Sequence, residues 1–236
     1  MSDDGWILIT GASKNLGAYL AKKLAQDNHP VLVHYNKSKM SAFSLVDELV
    51  KEKKQAKAVF GDFSSKQGLE KFVEKIQDEP IKSIIHNVGN YLEKSFLETS
   101  ENDFDQLLQT NMKAPFVITK ALVPTLKRNK GSLIFLGVAG LEKLRAETTA
   151  SMYTMTKQML GFYMKTLAKE LARFHVRSNM ISPGYLEHSV VQPKGDLPMR
   201  RSGTYEDIYN VVQFLLNPAN NYVTGQDIEV AGAVRL

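Results

Sequence analysis

The strongest constraint on the fold is an alternation. Short, continuously apolar runs take turns with amphipathic helical stretches along most of the chain. Trp6 to Thr10, Val31 to Tyr35, Ala56 to Phe60, Ile81 to Asn87, Ser132 to Val138, Val176 to Ile181 and Asp227 to Val230 read as strands. Helical spacing fills the intervals. Leu16, Leu20 and Leu24 share a face, as do Phe43, Val46, Leu49 and Val50. Further helices are expected over 69–76, over 101–128 with an interruption near Pro115, over 151–174 and over 205–216. Strands that are apolar throughout belong to a parallel sheet covered on both faces, and the helices between them supply the crossovers. The expectation is an α/β chain with one doubly wound parallel sheet of about seven strands, spanning 1–236 as a single domain.

Composition removes several function classes. The 236 residues include no cysteine, which excludes disulfides, thiolate metal sites and cysteine nucleophiles. No apolar run approaches the roughly 20 residues that a membrane helix needs. The start, Met1 to Gly5, has no secretory pattern, so a cytoplasmic protein is expected. The net charge of +5 suits anionic ligands such as phosphates or an acidic carrier. The basic clusters Lys37–Lys39, Lys51–Lys54 and Lys127–Lys130 are short and lack interleaved aromatics, so neither a nucleic-acid nor a membrane partner is expected.

In a doubly wound sheet, ligands bind beyond the carboxyl ends of the strands. The first strand runs into Thr10-Gly11-Ala12-Ser13-Lys14-Asn15-Leu16-Gly17, and a helix follows. Glycine lets the backbone turn tightly and approach a pyrophosphate, and the helix N-terminus offers free N–H groups. The second strand ends Tyr35-Asn36-Lys37-Ser38, without the acid that holds the ribose hydroxyls of NAD. Lys37, Ser38 and Lys14 suit a 2′-phosphate, so NADP(H) is the expected cofactor.

Tyr153 and Lys157 lie four apart within the expected helix after the fifth strand. Such residues share a helix face. An ammonium beside a phenol is expected to lower the phenol pKa. That phenol can give a proton to a carbonyl oxygen while hydride reaches the carbon.

Together these motifs resemble the short-chain dehydrogenase/reductase family, with its T-G-x-x-x-G-x-G turn, here carrying Asn15 for the middle glycine, and its Y-x-x-x-K pair. The matches run in order from residue 6 to about 232. The resemblance implies a Rossmann-type fold and an NADP-dependent oxidoreductase. It implies that Asp62, in Gly61-Asp62-Phe63, contacts the adenine. It places Asn87 and Gly89, in His86-Asn87-Val88-Gly89, and Pro183-Gly184 along the cofactor, and Thr224-Gly225-Gln226 before the last strand. It gives Lys157 the nicotinamide ribose and Asn111 the kink in the long helix. It implies a flap over the substrate at 185–203 and a homotetramer or dimer paired through the two long helices. Arg235-Leu236 would reach toward a neighbouring site.

One departure concerns chemistry. The family carries a serine at the end of the fifth strand, where this chain has Val138 by strand alignment or Gly140 by counting back from Tyr153. Replacement donors to weigh are Thr148, Thr149, Ser151 and the backbone N–H groups of Gly137 to Gly140. The chain resembles 3-oxoacyl-acyl-carrier-protein reductases, whose carrier-bound substrate would suit Arg128 and Arg173. It also resembles pteridine and dihydromonapterin reductases in His34 to Ser38 and Tyr153 to Lys157. A small-molecule or acyl-carrier-bound substrate is expected. A non-catalytic NADP(H) sensor is the alternative of another class.

Overall fold

The computed structural model describes residues 5–141, 145–189, 191, 193 and 195–234. Seven strands, β1 (Trp6–Ile9), β2 (Val31–Tyr35), β3 (Ala56–Phe60), β4 (Ile81–His86), β5 (Ser132–Leu136), β6 (Arg177–Pro183) and β7 (Asp227–Val230), form one sheet. Every pairing is parallel, in the order β3-β2-β1-β4-β5-β6-β7. The winding direction reverses between β1 and β4. β2 and β5 are buried at every position, as continuous apolar runs require.

Each face of the sheet carries its own core. α1 (Asn15–Gln26), α2 (Lys39–Lys51) and α7 (Tyr205–Leu216) cover one face through Leu20, Leu24, Leu49, Ile208 and Val212. α3 (Lys66–Ile76), α5 (Ala114–Asn129) and α6 (Ser151–Leu171) cover the other through Phe72, Ile118, Leu122, Leu160 and Met164. In β1 the alternation is direct: Ile7 and Ile9 face the first core, Leu8 the second. Side-chain oxygens start several helices. Ser65 accepts from Gly68 N–H at α3, and Ser100 with Asp103 forms a capping box at α4 (Glu101–Leu108).

The helix expected over 101–128 is divided. α4 ends at Leu108, a π-helical turn spans Gln109–Lys113, and α5 begins at Ala114. The break therefore precedes Pro115, which lies in the first turn of α5, directly after the π-helical turn. The helix expected over 151–174 ends at Leu171 and tightens into a 3-10 turn, Ala172–Phe174. The sixth strand runs on through Pro183, two residues past the expected end at Ile181. The Pro183 carbonyl accepts from Ala139 N–H, and Gly184 N–H donates to Val230, so pairing to β5 and β7 continues around the one donor that proline lacks. Among the described residues no helix is long and apolar enough to cross a membrane.

Candidate active site

The carboxyl ends of β1 and β4 separate at the reversal point, and side chains lock them together there. The Thr10 hydroxyl accepts from the N–H groups of Asn87 (2.9 Å) and Val88 (3.0 Å). The Asn87 amide donates to the carbonyls of Thr10 (3.0 Å) and Gly11 (3.2 Å). Asn87 thus serves by shaping the turn. Gly11 has φ +67°, and a Cβ on Gly17 would strike the Gly11 carbonyl and approach the Asn87 amide nitrogen to 2.7 Å. Asn15 has φ +50° at the start of α1, a left-handed conformation that asparagine tolerates in place of glycine. No side chain caps α1, and its first turn holds no acid. Its N–H groups, beside Ser13 and the exposed Lys14, are available to an anion.

The wall beyond β2 has two layers. Asn36 and Lys37 are exposed, with Ser38 at the start of α2. The Asn36 amide donates to Asp62 at 3.2 Å, and Ser64 donates to the same carboxylate through its N–H (3.0 Å) and hydroxyl (2.7 Å). These Ser64 bonds chiefly, with Asn36 and the charge of Lys37, hold the Asp62 carboxyl below its ordinary pKa. Tyr35 and Phe63 are core side chains: Tyr35 packs on Phe43 and Phe60, and Phe63 stacks on His34. A cofactor at these positions would meet their backbone. His34 itself is buried, with its pKa pushed down to about 4 by burial. His86 likewise turns into the core, stacked on Phe135 and 2.9 Å from the Thr119 hydroxyl.

On the other side of the reversal point, α6 carries Tyr153 and Lys157. Lys157 is 5 % exposed, and its Nζ donates to the Leu136 carbonyl at 2.8 Å. Burial pushes its pKa down to about 8. Gly89 faces this ammonium: a Cβ there would come within 3.1 Å of Nζ. Asn111, in the π-helical turn, accepts from Asn90 N–H at 2.7 Å and donates to the Asn90 carbonyl (2.9 Å) and the Thr156 hydroxyl (3.1 Å). It ties the loop after β4 to α6, the helix that bears the lysine. The expected lowering of the phenol pKa is not what this geometry gives. Nζ sits 5.8 Å from the Tyr153 ring centre and spends a hydrogen bond on Leu136. Burial first, and neighbouring Tyr91 second, push Tyr153 up to about 12. At neutral pH Tyr153 is a phenol with its proton in place.

A cavity of about 820 Å³ opens beside Tyr153. Val138 and Gly140, the two positions weighed for the family's serine, both line it. Three of the backbone donors weighed as replacements are engaged: Gly137 N–H with Ile181, Ala139 N–H with Pro183, and Gly140 N–H with the Glu229 carboxylate at 2.5 Å. Of the hydroxyl residues weighed, Thr149 borders the cavity, as does Thr154. The Ser151 hydroxyl is buried without a partner among the described residues. Tyr91 and Glu229 also line the cavity, and Tyr91 meets the Tyr153 ring edge-on at 4.9 Å. Sequence reasoning passed over both. Glu229 sits in a four-residue strand, and only the pairing of β7 with β6 puts it opposite Ser182, near Gly140. The segment 185–203 is pinned at its base by Glu187 N–H to the Gly203 carbonyl (2.9 Å) and Gly203 N–H to Tyr185 (2.8 Å). Pro193, Leu197 and Pro198 of that segment border the cavity. Arg235 and Leu236 lie outside the described residues.

A doubly wound sheet, a glycine turn at its reversal point and a tyrosine–lysine pair beside a cavity define a dinucleotide-dependent oxidoreductase scaffold. Comparison with known proteins makes the assignment specific. Residues 11–234 match the family model described as enoyl-(acyl carrier protein) reductase. An oxidoreductase of Methylorubrum extorquens is 30 % identical over 97 % of this chain and 96 % of its own. The 3-oxoacyl-[acyl-carrier-protein] reductase FabG of Staphylococcus epidermidis is 24 % identical over 96 % of this chain and 97 % of its own. Among solved structures, a blue fluorescent protein from a metagenomic library, in complex with NADPH, superposes with a TM-score of 0.89 at 25 % identity, covering 100 % of both chains. The chain belongs to the short-chain dehydrogenase/reductase family, whose members are nicotinamide-dependent oxidoreductases.

Lys157 supplies a test of the buried pair. Between about pH 8 and 10.5 the unfolded chain keeps this proton and the folded chain has released it, so folding stability rises with pH across that window. From pH 7.5 to 9.5 the difference in urea-unfolding free energy between the native protein and Lys157→Met should grow by about 1–2 kcal/mol in favour of the native protein. A constant difference would place the ammonium in solvent.

Proposed function

We propose that this protein is an NADPH-dependent reductase of a carbonyl group, on a small-molecule or acyl-carrier-bound substrate, with Tyr153 as proton donor. The observation that carries this reading is the placement of a protonated phenol on the wall of an 820 Å³ cavity, one helical turn from a buried lysine that faces Gly89 and the end of β4. NADPH, when bound, supplies the hydride. The uncapped N-terminus of α1 and the cations Lys14 and Lys37 fit its phosphates, and no acid at the end of β2 repels the 2′-phosphate. Gly89, Pro183 and Gly184 border the space for its nicotinamide half, with the Lys157 ammonium placed to hold the ribose.

The chain's own residues then divide the work. Desolvation keeps the Tyr153 proton on its oxygen until a substrate alkoxide, a stronger base, takes it. Asn111 fixes the distance between the loop after β4 and α6, and so the height of Lys157 above the cofactor groove. Pro193, Leu197 and Pro198 on the cavity border offer apolar surface against which a bound substrate would displace water. Thr149 is the residue that best takes over the missing serine's contact with the substrate oxygen. Reduction of a C=N bond in a fused ring is the second reading. It is favoured by the Glu229 carboxylate beside Gly140, a natural acceptor for ring N–H groups.

Two surfaces suit partners. Met155, Met159 and Phe162 form an exposed apolar stripe along α6, with Phe116 exposed on α5. A second copy of the chain would bury this stripe, giving a dimer or tetramer by light scattering. Lys127 and Arg173 lie over the Phe174 ring at the end of the α5–α6 groove, near Arg128, a basic rim that fits an acidic carrier.

Tyr153→Phe should abolish NADPH consumption with carbonyl substrates while leaving the fluorescence-detected NADPH dissociation constant within about threefold; retained turnover would put the donor elsewhere. Lys37→Asp should invert the preference for NADPH over NADH, with about tenfold weaker NADPH binding. An unchanged preference would remove Lys37 from the 2′-phosphate site.

A further inference from the structure

We infer that His34 is a positioning residue for the dinucleotide cradle, a single imidazole that sets the spacing between the glycine turn and the wall carrying Asp62. The inference rests on the reading that the cofactor lies along that turn. His34 occupies the fourth position of β2 and is 2 % exposed. Its Nδ1 accepts from Gly11 N–H at 2.9 Å, and its Nε2 lies 3.1 Å from the Gly61 carbonyl. The Gly11 amide can only donate, so Nδ1 must be the unprotonated nitrogen. Nε2 then carries the proton and donates to Gly61. One tautomer satisfies both bonds, and the protonated ring would set two donors against each other at Gly11.

The two residues so joined belong to opposite sides of the groove. Gly11, with φ +67°, opens the turn into α1. Gly61 immediately precedes Asp62, which receives the Asn36 amide. Backbone bonds run in parallel with the imidazole: Ala12 N–H donates to the His34 carbonyl at 2.8 Å, and Gly61 N–H to the Tyr35 carbonyl at 2.9 Å. The ring is held from below. It stacks on Phe63 with centres 4.1 Å apart and planes 5° apart, and meets the Phe72 edge at 5.0 Å. Gly61 leaves the room: a Cβ there would come within 3.0 Å of Nε2 and 2.6 Å of the Phe72 ring. A core aromatic would need none of this polar fit. A phenylalanine would stack equally well and leave the Gly11 N–H and the Gly61 carbonyl without partners.

Two substitutions separate positioning from packing. His34→Phe keeps the stack and loses both hydrogen bonds. His34→Asn loses the stack but returns an acceptor oxygen near the Nδ1 position. NADPH dissociation constants and melting temperatures are measured for native, Phe and Asn proteins. The expected result is about tenfold or greater loss of NADPH affinity in the Phe variant, with the rate at saturating NADPH within about twofold of native. The Asn variant should bind NADPH more tightly than the Phe variant while melting at a lower temperature. Affinity that follows melting temperature, or a Phe variant that binds like the native protein, overturns the inference. If the Asn variant does not fold, amide hydrogen exchange of segment 6–16 decides: faster exchange in the Phe variant than in the native protein supports the role, and equal exchange rejects it. A native protein that binds no NADPH would defeat the functional reading as well, whereas normal native binding with an unaffected Phe variant defeats this inference alone.

Discussion

The site depends on a small lock at the point where the sheet reverses its winding. β1 and β4 are hydrogen-bonded neighbours, but beyond their last residues the chain leaves in opposite directions, toward α1 and toward the loop before α4. Thr10 and Asn87 close that divergence with four side-chain bonds, two accepted by the hydroxyl and two donated by the amide. Without them the carbonyls of Thr10 and Gly11 and the N–H of Val88 would lose these partners in a partly buried crevice, at a cost of about 1–3 kcal/mol each, and Asn87 N–H would keep only the Ile85 carbonyl. The glycine turn is placed relative to this lock. Gly11 and Gly17 touch it directly, and His34 carries the alignment across to Gly61.

The catalytic half rests on a different balance. Lys157 is an ammonium surrounded by protein, and desolvation opposes its charge. The Leu136 carbonyl offsets part of that, and the close approach of Gly89 leaves the side chain no larger neighbour to displace it. The π-helical turn at Gln109–Lys113 is the backbone irregularity that lets Asn111 reach both Asn90 and Thr156. A regular helix through the same residues would rotate Asn111 away from one of its partners. The result is a rigid lysine beside a tyrosine that burial keeps protonated, an arrangement suited to proton donation rather than to a standing phenolate.

The substrate side is built from chain segments far apart in sequence. Gly140 follows β5, Glu229 lies on β7, and Tyr91 follows β4, yet all three border one cavity with Tyr153. Val138 and Gly140 bring no hydroxyl to this wall, and the Glu229 carboxylate, held by Gly140 N–H, lies on it as a hydrogen-bond acceptor.

Periodicity was enough to place all seven strands and the helices covering both faces, because burial on both sides of a parallel sheet imposes an apolar run that no other local structure requires. The glycine turn and the Tyr153–Lys157 spacing were legible for a similar reason: each is a local geometry encoded within a few residues. The interruption near Pro115 was legible, although only the structure resolves it as a π-helical turn just before the proline. The extension of β6 through Pro183 was not, since a proline's cost depends on whether the N–H it lacks is needed at that position. Thr10 and His34 lay inside recognised motifs without their roles being legible, and Tyr91 and Glu229 were not singled out at all. Their roles arise from partners 23 to 89 residues away, brought together only when the strands pair. The sequence alone determined the architecture and the reactive pair, through patterns that burial and helix geometry force on neighbouring residues. Tertiary structure alone decided the protonation of that pair, the occupants of the cavity wall and the imidazole bridge, because hydrogen bonding and desolvation depend on distances that the chain order does not contain.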